Sequence, residues 1–400
     1  MDPVRNPYAP GAGRRPPELA GRSAELQAFD VVLQRVARGR SERSIVLTGL
    51  RGVGKTVLLN ALRSAAVRAG WGTGKFEARP DVSLRRPLAA ALHLAVRELN
   101  SADHEGTEHV LGVLKSFALK SRPEARLRDR WQPGIEAPAV AGRADSGDIE
   151  IDLVELFADA AGLAADTGRG IALFIDEMQD LGADDVSALC AACHELSQTG
   201  QPLVIVGAGL PHLPSVLSAS KSYSERLFRY ARIDRLEPDS AEAALRAPAR
   251  EEGADFTDGA LSELYRLTGG YPYFVQAYGK AAWDAAVTER ITEADVAIAA
   301  PEAEAELAVG FFGSRYERAT PAEREYLRGM AEAMPDEGTG ATVTVSTGRV
   351  AELLGRKPQS LSPARDALVK KGLVYSGERG QIAFTVPHFE RYLRHQRSDG

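Results

Sequence analysis

Gly49-Leu50-Arg51-Gly52-Val53-Gly54-Lys55-Thr56 is the stretch on which the reading of this chain turns. It fits the pattern G-x-x-x-x-G-K-[ST] without a mismatch. The spacing has a physical reason. Glycines let the backbone curl so that successive N–H groups face an anion. A helix starting at Lys55 adds the positive end of its dipole. Lys55 supplies a charge for outer phosphates and Thr56 a hydroxyl for Mg²⁺. The anion-contacting backbone then runs from Gly49 to Val57. A chance match in a glycine-rich chain is the competing reading. It is disfavoured because Ser44 to Leu50, SIVLTGL, reads as a strand, and a helix from Lys55 to Ala69 follows.

Working outward, IALFID (Ile171 to Asp176) and LVIVGA (Leu203 to Ala208) are near-continuous apolar runs. Such runs mark strands buried on both faces of a parallel sheet. WGTGKFEA (Trp71 to Ala78) reads as a further strand. Helical patterns lie between them, which implies an α/β layered unit. A phosphate loop needs a partner carboxylate, expected on the neighbouring strand; Asp176 ends its strand and Glu177 follows it. An Asp there can hold the Mg²⁺ shell, and an adjacent Glu can polarise an attacking water. The plain alternative is a carboxylate pair capping the next helix.

The remainder divides by pattern. Residues 1–20 are rich in proline and arginine and read as a flexible arm. Residues 100–148 carry no sustained period and read as a long insertion or mobile loop, with a short helix near Val110 to Ala118. From Ser240 strand signals vanish, and four helical patterns indicate an all-α lid through residue 308. The final section, 309–397, passes from helices to an extended pair near Val374 and Phe384.

Composition bounds the function. The chain has 400 residues, 44% hydrophobic, with two cysteines and a net charge of −6. A disulfide scaffold and a largely disordered chain are excluded. No apolar run approaches the roughly 18 residues of a membrane helix. The first residues hold no apolar stretch for a secretion signal, so the expected location is cytoplasmic, with no membrane partner. Cys190-Ala191-Ala192-Cys193-His194 matches the haem-attachment pattern. It falls within a helical pattern, where the cysteines read as small apolar residues.

Several segments together carry a family resemblance. They are Gly21-Arg22-Ser23-Ala24-Glu25-Leu26, the glycine-rich loop, Asp176-Glu177-Met178-Gln179, Gly207-Ala208-Gly209-Leu210-Pro211 and Gly269-Gly270-Tyr271-Pro272. With them the chain resembles the AAA+ superfamily of P-loop ATPases, in the branch shared by origin-recognition-type initiators and the signal-transduction ATPases with numerous domains. More narrowly, it resembles bacterial ATPases with a C-terminal winged helix. The resemblance implies ATP and Mg²⁺ as ligands and a core over residues 21–238. It implies Arg22 at the adenine side and Pro272 against the nucleotide. A polar sensor is expected after Val206, where this chain has Gly207-Ala208-Gly209; His212 is the nearest substitute. No arginine of the lid matches the family's γ-phosphate sensor. These departures imply slow hydrolysis or a nucleotide-controlled switch. Arg226 and Arg229, in SERLFRY, are expected γ-phosphate contacts, in cis or from a neighbouring subunit of a homo-oligomer. Surface arginines on a helix are the alternative.

In the last section, Thr320-Pro321-Ala322-Glu323 carries an N-cap, a first-turn proline and a capping-box partner. Two further helices and a hairpin follow, the order of a winged helix-turn-helix. Residues 349–379 hold seven Lys/Arg and three acids, +4 against −10 for the rest of the chain. A basic segment in an acidic chain is the footprint of a surface facing double-stranded DNA. On that reading Gln359, Ser360, Ser362 and Arg365 face base edges, and Arg356, Lys357, Lys370 and Arg379 contact phosphates. The alternative is a docking module for an unidentified protein.

Overall fold

A computed structural model describes residues 1–11, 13–120, 134–335, 343–376, 378 and 380–396. Its centre is a five-stranded, all-parallel sheet in the order β2-β3-β4-β1-β5. Helix α1 (Ser23–Val36) precedes β1 (Ser44–Thr48), and α2 (Lys55–Arg68) leads to β2 (Gly72–Glu77). Helices α3 (Arg85–Leu99), α4 (His104–Leu119) and α5 (Ile149–Asp166) come before β3 (Ile171–Asp176). Then come α6 (Ala183–Thr199), β4 (Leu203–Gly209), α7 (Leu213–Ser220), α8 (Ser224–Leu227) and β5 (Phe228–Arg232).

The alternation of side chains along each strand splits the core into two layers. Ile45 and Leu47 of β1, Phe174 of β3 and Val204 and Val206 of β4 pack with Phe29, Leu58, Leu59 and Leu62 of α1 and α2. Val46, Leu173, Ile175 and Ile205 face the other way, against α3 to α6. Burial on both faces is why these strands read as continuous apolar runs.

Four places differ from the sequence reading. The strand bearing Asp176 does not neighbour the β1 strand, because β4 lies between them. SERLFRY is not one helix: it breaks at Leu227, and Phe228 begins a strand paired with β1. Residues 100–148 contain α4, whose Val113, Leu114 and Phe117 are buried among α3 and α5. A buried ion pair, Arg85–Asp152 at 2.7 Å, with Arg85 also 4.8 Å from the Phe117 ring centroid, ties α3, α4 and α5 together. Residues 121–133 of that stretch lie outside the described residues.

Residues 1–20 are the fourth difference. The expected arm lies along the lid. Asn6 Nδ2 donates to Asp284 Oδ1 at 2.8 Å, and Trp283 Nε1 donates to the Asp2 carbonyl at 3.0 Å. The Tyr8 hydroxyl donates to the Leu245 carbonyl, and Tyr8 itself is buried. Further on, the Gly13 carbonyl accepts from Asn60 Nδ2 of α2 at 3.4 Å. Prolines removed backbone donors, and side chains supplied the anchors instead.

The lid comprises α9 (Pro238–Glu251), α10 (Asp258–Thr268), α11 (Pro272–Ala285) and α12 (Glu293–Leu307), joined by a small parallel pair β6 (Asp255–Phe256) and β7 (Arg290–Ile291). A π-helical turn, Ala308–Gly313, and the short α13 (Ser314–Tyr316) lead out of it. The last unit holds α14 (Pro321–Ala333), β8 (Val345–Ser346), α15 (Thr347–Leu353), α16 (Pro358–Lys370), β9 (Val374–Tyr375), β10 (Gln381–Phe384) and α17 (Phe389–His395). Its strands form an antiparallel sheet in the order β8-β10-β9. The Thr320–Glu323 capping box is present at the start of α14. No described helix is long and apolar enough to cross a membrane.

Candidate nucleotide site

Between the core and the lid lies a cavity of about 360 Å³. Its wall includes the whole stretch from Arg51 to Val57, with Arg22, Glu177 and Pro272. Gly52 and Gly54 adopt φ of 82° and 90°, the left-handed region that glycine enters freely. The loop therefore turns back over the N-terminus of α2, as the spacing predicts. Gly49 and Leu50 form its entry from β1.

Lys55 is buried, and its Nζ donates to the carbonyls of Gly49 at 2.9 Å and Leu50 at 2.7 Å. Burial lowers its pKa to about 8, with Arg51 pushing the same way and Glu177 opposing. Thr56 is half-buried at the cavity wall. Asp176 is buried at the end of β3; its Oδ1 accepts from the Glu177 N–H at 3.1 Å, and its Oδ2 lies 4.0 Å from Lys75 Nζ. Glu177 has φ of 50°, a left-handed conformation uncommon for a non-glycine residue.

Both oxygens of the Glu177 carboxylate are engaged. Oε1 accepts from Arg51 Nη1 at 3.0 Å and Oε2 from Gln179 Nε2 at 2.5 Å. Gln179 is fixed in turn, because its Oε1 accepts from the Leu210 N–H at 3.0 Å. The glycines where a polar sensor was expected, Gly207 and Gly209 at the end of β4, have a steric explanation. A Cβ at Gly207 would sit 1.9 Å from Met178 Sδ, and one at Gly209 would sit 2.7 Å from Gln179 Oε1. The residues after Glu177 fill the space that larger side chains would need.

Arg51 also reaches the last unit of the chain. Its backbone N–H donates to the Thr385 carbonyl at 2.8 Å and its Nε to the Gly372 carbonyl at 3.4 Å. A Cβ at Gly372 would lie 2.8 Å from Arg51 Nη2, so a side chain there would displace the guanidinium tip. Nearby, His388 sits edge-on to Tyr271 at 5.5 Å between centroids.

The other expected residues fare unevenly. Arg22 is buried and donates to the carbonyls of Val53 at 3.1 Å and Asp234 at 2.6 Å, so it braces the loop from behind. Pro272 opens α11, and the next residue's N–H, that of Tyr273, donates to the Gly52 carbonyl at 3.2 Å. Arg226 is exposed on α8, Arg229 lies on β5, and neither lines the cavity. His212 lies parallel to the Tyr375 ring at 6.1 Å between centroids, and burial lowers its pKa. Cys190 and Cys193 are buried in α6, where burial pushes the Cys190 thiol up to about 11.

In the last unit, Gln359 and Ser360 are exposed at the start of α16, and Lys357 and Lys370 are exposed at its two ends. Ser362 and Arg365 are half-buried. The basic excess is partly spent inside the molecule. Arg356 pairs with Glu325 at 3.1 Å, Arg365 with Asp366 at 2.9 Å, Arg349 with Glu352 at 2.8 Å and Lys371 with Glu323 at 2.6 Å. Glu323 and Glu325 come from α14, outside the stretch that the charge count covered. Arg379 lies outside the described residues.

Sequence reasoning placed Arg51 in the loop for its backbone alone, gave Gln179 no role, and missed Tyr273, Phe311 and Arg315, which line the cavity. Gln179 was visible beside the acidic pair; the others carried no local signal.

Comparison with known proteins agrees with this geometry. Residues 18–206 match the family model described as AAA ATPase domain, and residues 309–393 match one described as Domain of unknown function (DUF8462). A comparison with curated proteins finds no match. Among solved structures, the chain is similar to the Walker-type ATPase PABY2304 of Pyrococcus abyssi. The likeness covers 95% of this chain and 97% of that one, at 16% identity and a TM-score of 0.56, and is one of fold. It is also similar to the Aeropyrum pernix ORC1 protein, solved in complex with DNA, at 16% identity, 96% and 94% coverage and a TM-score of 0.45. The Thermotoga maritima RuvB Holliday junction branch migration motor gives 17% identity, 96% and 99% coverage and a TM-score of 0.45. The glycine-rich loop after β1 and the acidic pair ending β3 both fall within the stretch that matches the AAA ATPase domain model.

Proposed function

We propose that this protein is an ATP-binding AAA+ ATPase that works as a slow, nucleotide-controlled switch. Its C-terminal unit, read as a winged helix, would bind duplex DNA according to nucleotide state. The observation that carries the coupling is Arg51, which joins the phosphate loop, Glu177 and the Gly372 and Thr385 carbonyls.

ATP would lie in the cavity between the loop and the lid, its phosphates against the N–H groups of residues 52–57. Thr56 and Asp176 would hold Mg²⁺, which neutralises charge developing on the phosphates. The residues fit such a cation: Asp176 Oδ2 has only Lys75, at 4.0 Å, as an ion-pair partner among the described residues. Lys55 would exchange two backbone carbonyls for phosphate oxygens. Glu177 must leave Arg51 and Gln179 before it can accept a proton from water, which supports slow turnover. When Arg51 lets go, its hold on the C-terminal unit loosens.

For DNA, the helix-strand-helix-helix-hairpin order and the exposed Lys357, Gln359, Ser360 and Lys370 support α16 as the recognition helix. Arg356 and Arg365 would exchange their carboxylates for phosphate or base edges, which is cheap for exposed pairs. Titration of duplex DNA with and without Mg-ATP, at several salt concentrations, tests the reading. Affinity should fall with salt and change with nucleotide. Absence of salt-dependent binding in every state would end it. The internal pairing of four basic residues favours a second reading, a protein-docking unit, which that result would leave in place. Arg226, exposed beside β5, would serve a neighbouring subunit's nucleotide if the protein assembles into a ring or filament.

A further inference from the structure

The cavity wall is completed from beyond the AAA ATPase match. Gly310, Phe311 and Arg315, at the head of the C-terminal unit, line it with the phosphate loop. The chain arrives there through the π-helical turn Ala308–Gly313, a wide turn that recurs at functional sites. Phe311 stacks on Tyr273 at 4.7 Å and 24°, and a Cβ at Gly52 would lie 3.5 Å from an atom of each residue. The Phe311 ring edge and the Tyr273 Cβ thus border the apex of the loop.

Arg315 is held over that stack. Its Cζ lies 4.3 Å from the Phe311 ring centroid, and Nη1 donates to the Phe311 carbonyl. It is half-buried, yet no carboxylate lies within ion-pair distance among the described residues. The other inner cations of the cavity are committed. Lys55 and Arg22 donate to backbone carbonyls, and Arg51 to Glu177. A guanidinium has five N–H donors, and Arg315 spends one of them on Phe311. Burial and the nearby Arg51 charge both disfavour its protonated form, and Glu177 favours it. Arg315 thus lines the same cavity as Arg51 and Glu177, within electrostatic reach of both. An anion arriving there relieves the repulsion between two arginines and supplies the missing partner.

We propose that Arg315 binds the outermost phosphate of a nucleoside triphosphate, so that a residue of the C-terminal unit distinguishes ATP from ADP. This rests on the reading of the cavity as a nucleotide site. A diphosphate ends at the Lys55 position and leaves Arg315 unpartnered. A triphosphate reaches it and fixes α13, and with it the start of the C-terminal unit.

The test is calorimetric titration of the full chain with Mg-ATP and Mg-ADP. Wild type, Arg315→Met, Arg315→Lys and Lys55→Ala are compared. Methionine keeps an aliphatic stem on the Phe311 ring and removes the charge. ATP affinity of Arg315→Met should fall by roughly 10- to 100-fold, the range of a charged hydrogen bond, while ADP affinity, which also reports the fold, stays within about twofold. Arg315→Lys should fall between, since an ammonium keeps the charge without the fork. Equal losses for both nucleotides, or none, would overturn the assignment. If Arg315→Met does not fold, the ATP-to-ADP ratio of Arg315→Lys decides. If Lys55→Ala weakens both nucleotides and Arg315→Met neither, Arg315 alone is misassigned. If wild type binds neither nucleotide, the reading of the cavity falls and takes this proposal with it.

Discussion

The nucleotide cavity and the basic face of the C-terminal unit use the same residue types to opposite effect. In the cavity, Lys55, Arg22 and Arg51 are drawn off the surface and held by carbonyls and a carboxylate. On the C-terminal face, the exposed Arg349 and Arg356 and the half-buried Arg365 each pair with the nearest acid. Burial strengthens every interaction a charge makes and fixes where it points. Exposure leaves it screened and replaceable. Net charge along a sequence counts both kinds alike, which is why it locates the first site poorly and overstates the second.

The sharpest way to test that contrast is to remove the buried chemistry. Glu177→Gln should lower single-turnover hydrolysis by roughly 10²- to 10⁴-fold, the contribution of a positioned general base, with ATP affinity in calorimetry nearly unchanged. Lys55→Ala should weaken Mg-ATP by about 2–5 kcal/mol, as expected when a desolvated charge loses its partner. A linked measurement uses pH. With Lys55 lowered to about 8, a bound polyanion favours its protonated form, so binding near pH 8 takes up protons. Affinity should therefore decline as pH rises through 8. Calorimetry in buffers of different ionisation enthalpy should detect the uptake in wild type and lose it in Lys55→Met.

Arg51→Met tests the border between the two regions. Its pair with Glu177 is about a quarter exposed on each side. Such a pair is worth about 1 kcal/mol or less, so freeing Glu177 should raise steady-state turnover by no more than about fivefold. An unchanged or lower rate would mean that Arg51 aids catalysis and does not restrain it. The smallest effects belong to the exposed face. Lys357→Ala or Lys370→Ala should each flatten the salt dependence of duplex binding by about one unit. Glu325→Gln, which frees Arg356, should strengthen binding slightly at low salt. If these exposed changes exceed Lys55→Ala in effect, the contrast is drawn the wrong way round.

What the sequence disclosed follows from how local each feature is. The loop from Gly49 to Thr56 and the Asp176–Glu177 pair are short stretches tied to strands with continuous apolar runs, so pattern and chemistry coincide. Strand β5 escaped notice because Phe228 to Arg232 is short and carries two arginines. The arm escaped because its anchors, such as Tyr8 to Leu245 and Asn6 to Asp284, lie more than 200 residues away in sequence. Arg51 depends on a contact with Gly372, and Arg315 on a place in the cavity wall beside the loop, that no window of sequence contains. The basic segment was read correctly as a count and incompletely as a surface, because Glu323 and Glu325 approach it only after folding.

The P-loop pattern leaves its four inner positions open to any residue, and this chain places Arg51 at one of them. That freedom makes the position a tuning point. A relative that kept every fixed letter of the pattern and replaced this arginine would keep the means to hold phosphate. It would lose the side chain that joins Glu177 to the C-terminal unit. Two chains with the same signature can thus differ in whether nucleotide chemistry is heard outside the ATPase core, and residue 51 is where to look first when they are sorted.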